Sequence, residues 1–253
     1  MGAGEPLVLL HGVTGSSNIW RRVLPLLAPF RDVIAPTAVG HRGGLRAAEQ
    51  PLRIRHVVDD AERFLDRLDL DRAHLAGNSM GGWVALELAR RGRALSVCAL
   101  SPAGAWTAED RERASSMLRA AVAATRRAKA LIPWLAFSGL FRRWALRENS
   151  VRGHLVTRAE LLEIIDDLLG CDACDDLLAT TEELLPLHAS CPVTLAWSGE
   201  DRIFPPTING ARARELLPGA RFELVEGVGH VPMLDDPQRV ADIILRASAR
   251  GAS

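Results

Sequence analysis

Six short apolar runs, separated by longer segments of helical period, constrain this chain more than any other feature. The runs are "PLVLLHG" (6–12), "DVIAPT" (32–37), "AHLAGNS" (73–79), "LSVCALSP" (95–102), "PVTLAWSG" (192–199) and "RFELVEG" (221–227). Runs of this kind suit strands buried on both faces, as in a parallel sheet. Between them, "IRHVVDDAERFLDRLDL" (54–70) places Val57, Ala61, Phe64, Leu65 and Leu68 on one helical face. "MGGWVALELARRG" (80–92) follows the third run directly, with Gly92 placed to cap its end. "DDPQRVADIILRASA" opens with Asp236 as N-cap and Pro237 at the first helical position. The alternation predicts an α/β fold, a mostly parallel sheet with helices on both faces.

One block interrupts the alternation. No strand pattern occurs from about Thr107 to Ala189. Thr107-x-x-Asp110 and Thr157-x-x-Glu160 read as capping boxes that open helices. Between them lies "LIPWLAFSGLFRRWALREN", rich in aromatic residues. The expected organisation is a core of 1–106 and 190–253 with a helical insertion at 107–189. At 253 residues and 48% apolar, the chain can bury a core of this size.

Chemistry concentrates at the ends of the runs. Gly77-Asn78-Ser79-Met80-Gly81 fits G-x-S-x-G, and Gly82 follows. The third run and the helix after it supply the strand–turn–helix setting in which such a serine is pushed into the open. The helix N-terminus aims backbone N–H groups at the same place. An oxyanion hole in this arrangement takes one N–H from the residue after the nucleophile and one from the loop after an early strand, here Met80 and Val13. His11 is expected to brace that loop rather than to move protons. The partners of such a serine follow in the order acid, then histidine. Asp201 in "SGEDRIFPP" and His230 in "EGVGHVPMLDDP" each lie just past a strand. His230 would take the serine proton and Asp201 would fix its tautomer. Glu200 is the alternative acid. His41, His56, His74, His154 and His188 read as surface or packing residues, and Asp235 and Asp236 as helix-start residues.

With these pieces in place, the chain resembles the α/β-hydrolase family over essentially its whole length. "LVLLHGVTGSSNIW", "GNSMGGWVALELA", "SGEDRIFPP" and "GVGHVPMLDDP" carry the resemblance. It implies an α/β-hydrolase fold, a Ser79–His230–Asp201 triad, and a helical cap formed by the insertion before the acid-bearing strand. It resembles the smaller capped members: esterases, lipases, C–C-bond hydrolases and non-haem perhydrolases. Two departures stand out. Family members often begin with an antiparallel hairpin, for which six residues before Leu7 leave little room. The family's "D-x-P-G-H-G-x-S" loop reads "APTAVGHRGG" here, with Arg42 after the histidine and open to contact with an anionic group.

Absences sort the chemistries. Epoxide hydrolases and haloalkane dehalogenases of the family use aspartate where Ser79 stands, and the former add cap tyrosines; this chain has no tyrosine. Hydroxynitrile lyases use a lysine near the triad, whereas Lys129, the one lysine here, falls in the insertion. The expectation is hydrolysis of an ester, thioester or lactone through an acyl-enzyme, with no metal or other cofactor. The elbow also resembles that of C–C-bond hydrolases of vinylogous diketones, and a ligand receptor on a hydrolase fold is a non-enzymatic alternative. Trp106, Trp134, Phe137, Phe141 and Trp144 are candidates to line an apolar acyl or alkyl pocket. With 31 basic and 31 acidic residues, no globally basic surface for nucleic acid or lipid is expected. No run reaches the roughly 18 residues of a membrane span. Cys171-x-x-Cys174 lacks a second ligand pair for zinc and reads as reduced thiols, so a cytoplasmic protein is expected. The sequence leaves the oligomeric state open.

Overall fold

The computed structural model describes Gly2 and residues 4–249. Its strands are β1 (Pro6–Leu10), β2 (Asp32–Ile34), β3 (Ala73–Asn78), β4 (Ala94–Leu100), β5 (Val193–Ser198) and β6 (Arg221–Val225). They form one sheet in the order β2-β1-β3-β4-β5-β6, with every neighbouring pair parallel. The helices that matter below are α1 (Leu24–Leu27), α2 (Ile54–Arg67), α3 (Met80–Arg90), α4 (Ala108–Ala128), α5 (Ile132–Leu135), α6 (Gly139–Ala145), α7 (Arg158–Leu169), α8 (Cys174–Leu178), α9 (Ala211–Leu216), α10 (Pro232–Asp235) and α11 (Pro237–Ser248).

The two-residue period of each strand divides the core. Leu7 and Leu9 of β1 join Ala76, Cys98, Leu100 and Ala196 on one face, packed with Val240 and Ile244 of α11. Val8 and Leu10 point the other way, onto Leu75, Val97, Leu195 and α2 and α3. Full burial of each such side chain contributes about 1.5–3 kcal/mol. This two-sided burial is why the inner runs lack polar alternation; at the sheet edges it does not hold, β6 being buried only at Val225 and β2 only at Val33. The expected helix starts also hold. Thr107 Oγ1 accepts from Asp110 N (3.2 Å), and Thr157 Oγ1 accepts from Glu160 N (3.2 Å), each with the reciprocal carboxylate bond. Asp236 accepts from Arg239 N (3.0 Å) at the head of α11. Gly92 takes a positive φ of 77° after α3.

β2 and α2 each end three residues earlier than the sequence suggests, and β1, β4, β6 and α3 two residues earlier. β2 stops at Ile34 rather than residue 37: Pro36 has no N–H to give the ladder, and beyond it Ala38 N donates to His11 Nε2 (2.9 Å). α2 stops at Arg67, with Asp69 in the left-handed region at φ 55°. From Ala108 to Leu178 the chain is helical and irregular, and it lies over the C-terminal ends of β1, β3 and β4. Among the described residues no helix is long and apolar enough to cross a membrane.

Candidate active site

The elbow is built by glycine at contact positions. A Cβ on Gly77 would collide with the Gly81 carbonyl oxygen, and one on Gly81 with that of Leu10. Only bare backbone lets β3, the turn and β1 approach this closely. Ser79 sits between them at φ 56°, ψ −119°, a strained conformation for a residue with a side chain. Its N–H donates to Leu100 O (3.0 Å), and its carbonyl accepts from Ala103 N (3.0 Å) and Trp83 N (3.2 Å). The turn is thus pinned from three sides. Among the described residues, the Ser79 hydroxyl makes no hydrogen bond.

The structure brings His230 and Asp201 together. His230 Nδ1 lies 2.7 Å from Asp201 Oδ2, and both residues are buried. The other Asp201 oxygen accepts from Ile203 N (2.9 Å) and Phe204 N (2.8 Å). Those two donors fix the carboxylate so that it presents one oxygen to the imidazole. The Phe204 ring meets His230 edge-on at 5.1 Å. Glu200, the alternative acid, is exposed.

His11 holds the loop that faces Ser79. Its Nε2 accepts from Ala38 N (2.9 Å), so Nδ1 carries the proton, donated to Gly12 O (2.8 Å). Burial, and then the neighbouring His41, push its pKa down to about 3, so the ring is neutral. The loop turns through Gly15 N to Gly12 O (3.1 Å), with Thr14 at φ 63°. Val13 and Met80 both line the cavity beside Ser79. Arg42 is not free for a ligand. Its Nη1 donates to Asp167 Oδ1 of α7 (2.9 Å), whose other oxygen accepts from Ser16 Oγ (2.5 Å).

Ser79, His230, Val13 and Met80 open onto one apolar cavity of about 500 Å³ between the sheet and the insertion. Trp106, Phe141 and Trp144 line it as expected. Trp134 and Phe137 do not. α5 is a single turn in which Ile132 and Leu135 face the cavity, and Trp134, one residue earlier than Leu135, is rotated away to 76% exposure. Phe137 lies under the Arg158 guanidinium (4.4 Å) on the surface. An unanticipated wall is formed by Trp83, which meets Trp106 edge-on at 5.5 Å; Trp106 leans in turn on Phe204 at 5.6 Å.

Two supporting residues escaped the sequence reading. Asn78 Nδ2 donates to Leu100 O (3.1 Å) and to His230 O (2.9 Å), tying the serine strand to the histidine loop. Asp235 is not a helix-start residue. It is buried and accepts from Ser150 Oγ (2.6 Å), Arg152 N (2.8 Å), Val151 N (3.2 Å) and Gly229 N (2.8 Å). Two adjacent acids cannot both cap one helix, and that was the available signal. Among the described residues, no group of three or more His, Cys, Asp and Glu is placed to hold a metal ion.

This sheet order, with a strained serine after β3 and a histidine–carboxylate pair after β5 and β6, defines the class of α/β hydrolases. The alpha/beta hydrolase family model matches residues 7–243, and the chain belongs to that family. It is 36% identical over 203 residues to epoxide hydrolase EphH of Mycobacterium tuberculosis, covering 74% of this chain and 91% of that one. A 94-residue stretch is 45% identical to the 2-hydroxymuconate semialdehyde hydrolase of Pseudomonas sp. (strain CF600), covering 36% of this chain and 33% of the relative. Among solved structures, a thermophilic esterase from Thermogutta terrifontis superposes with a TM-score of 0.77 at 24% identity, covering 100% of this chain and 92% of that one.

Proposed function

We propose that the chain is a serine hydrolase that cleaves carboxylic esters, thioesters or lactones carrying an apolar acyl group. The observation that carries this reading is the 2.7 Å His230–Asp201 pair opening onto the same cavity as the strained Ser79. On substrate binding, Ser79 Oγ comes within about 2.6–3.2 Å of His230 Nε2 and gives up its proton as it attacks the acyl carbon. The oxyanion is held by the N–H groups of Val13 and Met80, each contributing about 3 kcal/mol by analogy with measured donors. His230 returns the proton to the leaving alkoxide or thiolate. Asp201 keeps Nδ1 protonated and stabilises the imidazolium. Water then repeats the sequence on the acyl-enzyme and restores Ser79. The helical insertion serves as the cap that shapes the acyl pocket.

EphH is named an epoxide hydrolase. That chemistry fits this chain poorly, because serine stands at the nucleophile position and the sequence has no tyrosine to activate an epoxide oxygen. The identity to the semialdehyde hydrolase favours C–C-bond cleavage as the second reading.

The test uses p-nitrophenyl esters of graded chain length, a ring-fission diketone and an epoxide. Hydrolysis of the esters is expected without added metal, with Ser79→Ala lowering kcat by roughly four to six orders of magnitude. A fluorophosphonate should add its mass to the Ser79 peptide alone. Full activity in Ser79→Ala would sink the nucleophile assignment. Turnover of the diketone with negligible esterase activity would give the site to the second reading, and absence of labelling would make the protein a receptor.

A further inference from the structure

The whole-chain charge of zero conceals a local imbalance. Residues 126–158 hold seven arginines and one lysine against a single acid, Glu148, although basic and acidic residues balance at 31 each overall. Arg126, Arg127, Lys129 and Arg143 are exposed, and none forms an ion pair among the described residues. The same stretch displays large apolar side chains to solvent. Leu140 is 81% exposed and Trp134 76%, with Leu131, Phe137 and Trp144 also mostly exposed.

These side chains form a surface of one kind. On α6, Leu140 and Trp144 lie one turn apart on one side with Arg143 beside them, and Arg147 follows just past the helix end. Arg147 lies over the Trp144 ring at 4.8 Å, and Arg158 over Phe137 at 4.4 Å. Each stack sets a cation directly beside an apolar ring. Large apolar side chains exposed together in one stretch mark contact sites rather than idle surface. Aromatic and leucine side chains interleaved with arginines match the boundary of an anionic lipid layer. There the apolar groups enter the acyl region and the cations meet the headgroups. The patch is also continuous with the site, since Leu135 and Trp144 are both solvent-exposed and cavity-lining.

We propose that the α5–α6 face docks on an anionic lipid surface, setting the rim of the active-site cavity against it. Docking does not depend on which bond Ser79 breaks, so it is measured apart from turnover. The experiment is flotation of the full chain, as Ser79→Ala to prevent lipid cleavage, with phosphatidylglycerol or phosphatidylcholine vesicles. The protein is expected to float with phosphatidylglycerol vesicles and to remain behind with phosphatidylcholine, and the association should fall as salt rises. Arg126→Gln/Arg127→Gln/Arg143→Gln should weaken it on the order of a hundredfold. Leu131→Glu/Leu140→Glu should weaken it at least about tenfold. Thermal unfolding of both variants alongside the parent shows whether the fold is kept, and the salt series on the parent stands without either variant. No binding to phosphatidylglycerol, equal binding to the two lipids, or binding insensitive to salt would overturn the proposal. A dimer seen by light scattering, dissolved by Leu131→Glu/Leu140→Glu in a protein that ignores vesicles, would assign the face to a second copy instead.

Discussion

A single buried ring, His11, joins the stability of this protein to its chemistry. Its two nitrogens are committed to Ala38 and Gly12, and the latter bond sets the turn that presents Val13 toward Ser79. His41 lies edge-on at 4.9 Å and is also pushed down, chiefly by burial, so both rings are held neutral in the fold. The unfolded chain takes up protons near the ordinary pKa of 6.5, whereas folded His11 does so only near 3. Stability is therefore complete above pH 6.5 and is lost as pH falls from 6.5 toward 3. The loss is at most about 1.4 kcal/mol per pH unit for each histidine. Urea unfolding at several pH values should show this slope, reduced in His11→Asn, and a flat profile between pH 7 and 5 would refute it. The bracing role was readable from position alone, since a histidine one residue before the loop that faces Ser79 has backbone groups to hold. The roles of Asn78 and Asp235 were not readable, because each acts on backbone more than 70 residues away in sequence. Nothing in local pattern reports such a partner.

Elements with a sustained period were legible, and those without one were not. The inner strands β1, β3, β4 and β5 declared themselves by two-sided burial, which the edge strand β6 lacks, and α2, α3 and α11 by their apolar faces. By contrast, α5 has four residues, too few to show which way Trp134 turns. The long α4 carries the clearest consequence for substrate choice. Ala114, Leu118, Ala121, Thr125 and Ala128 recur at helical spacing along the cavity wall, and four of the five are small. Small side chains on that wall leave the volume that a long acyl group needs. Ala121→Trp should cut kcat/KM for octanoyl and longer p-nitrophenyl esters by about tenfold or more, with the smallest loss on the acetyl ester. Equal losses at every chain length would mean that α4 does not border the acyl pocket.

At the scale of the molecule, the question is how a helical insertion is held at a fixed height over a site carried by the sheet. Apolar packing does part of this: Val122 and Leu177 share a cluster with Leu52 and Trp83, and Leu146, Val156 and Leu161 one with Leu234. Polar ties add to it. Arg22 pairs with Glu160 of α7, Arg42 and Ser16 share Asp167, and Asp235 gathers Ser150, Val151 and Arg152. Asp235 differs from the others in also binding Gly229 N, one residue before His230. There the chains run so close that a Cβ on Gly229 would lie 2.8 Å from Asn149 O. One carboxylate thus joins the insertion to the histidine loop, beside the backbone bond from Val231 N to Asn149 O (2.8 Å). Asp235→Ala would leave Ser150 Oγ, Val151 N and Gly229 N without this acceptor, the first and last on buried residues, while Arg152 N keeps Ser150 Oγ (3.2 Å); it should cost about 3 kcal/mol of stability. It should also lower kcat while leaving fluorophosphonate labelling of Ser79 slow but specific, because the elbow is pinned independently through Leu100 and Ala103. Arg22→Ala provides the contrast. It releases α7 and gives up only a long bond to Leu234 O (3.5 Å) on the histidine side, leaving the Asp235–Gly229 bond in place, so it should shift KM for long esters more than kcat. If both variants changed KM and kcat alike, Asp235 would be one strut among several rather than the link between insertion and histidine.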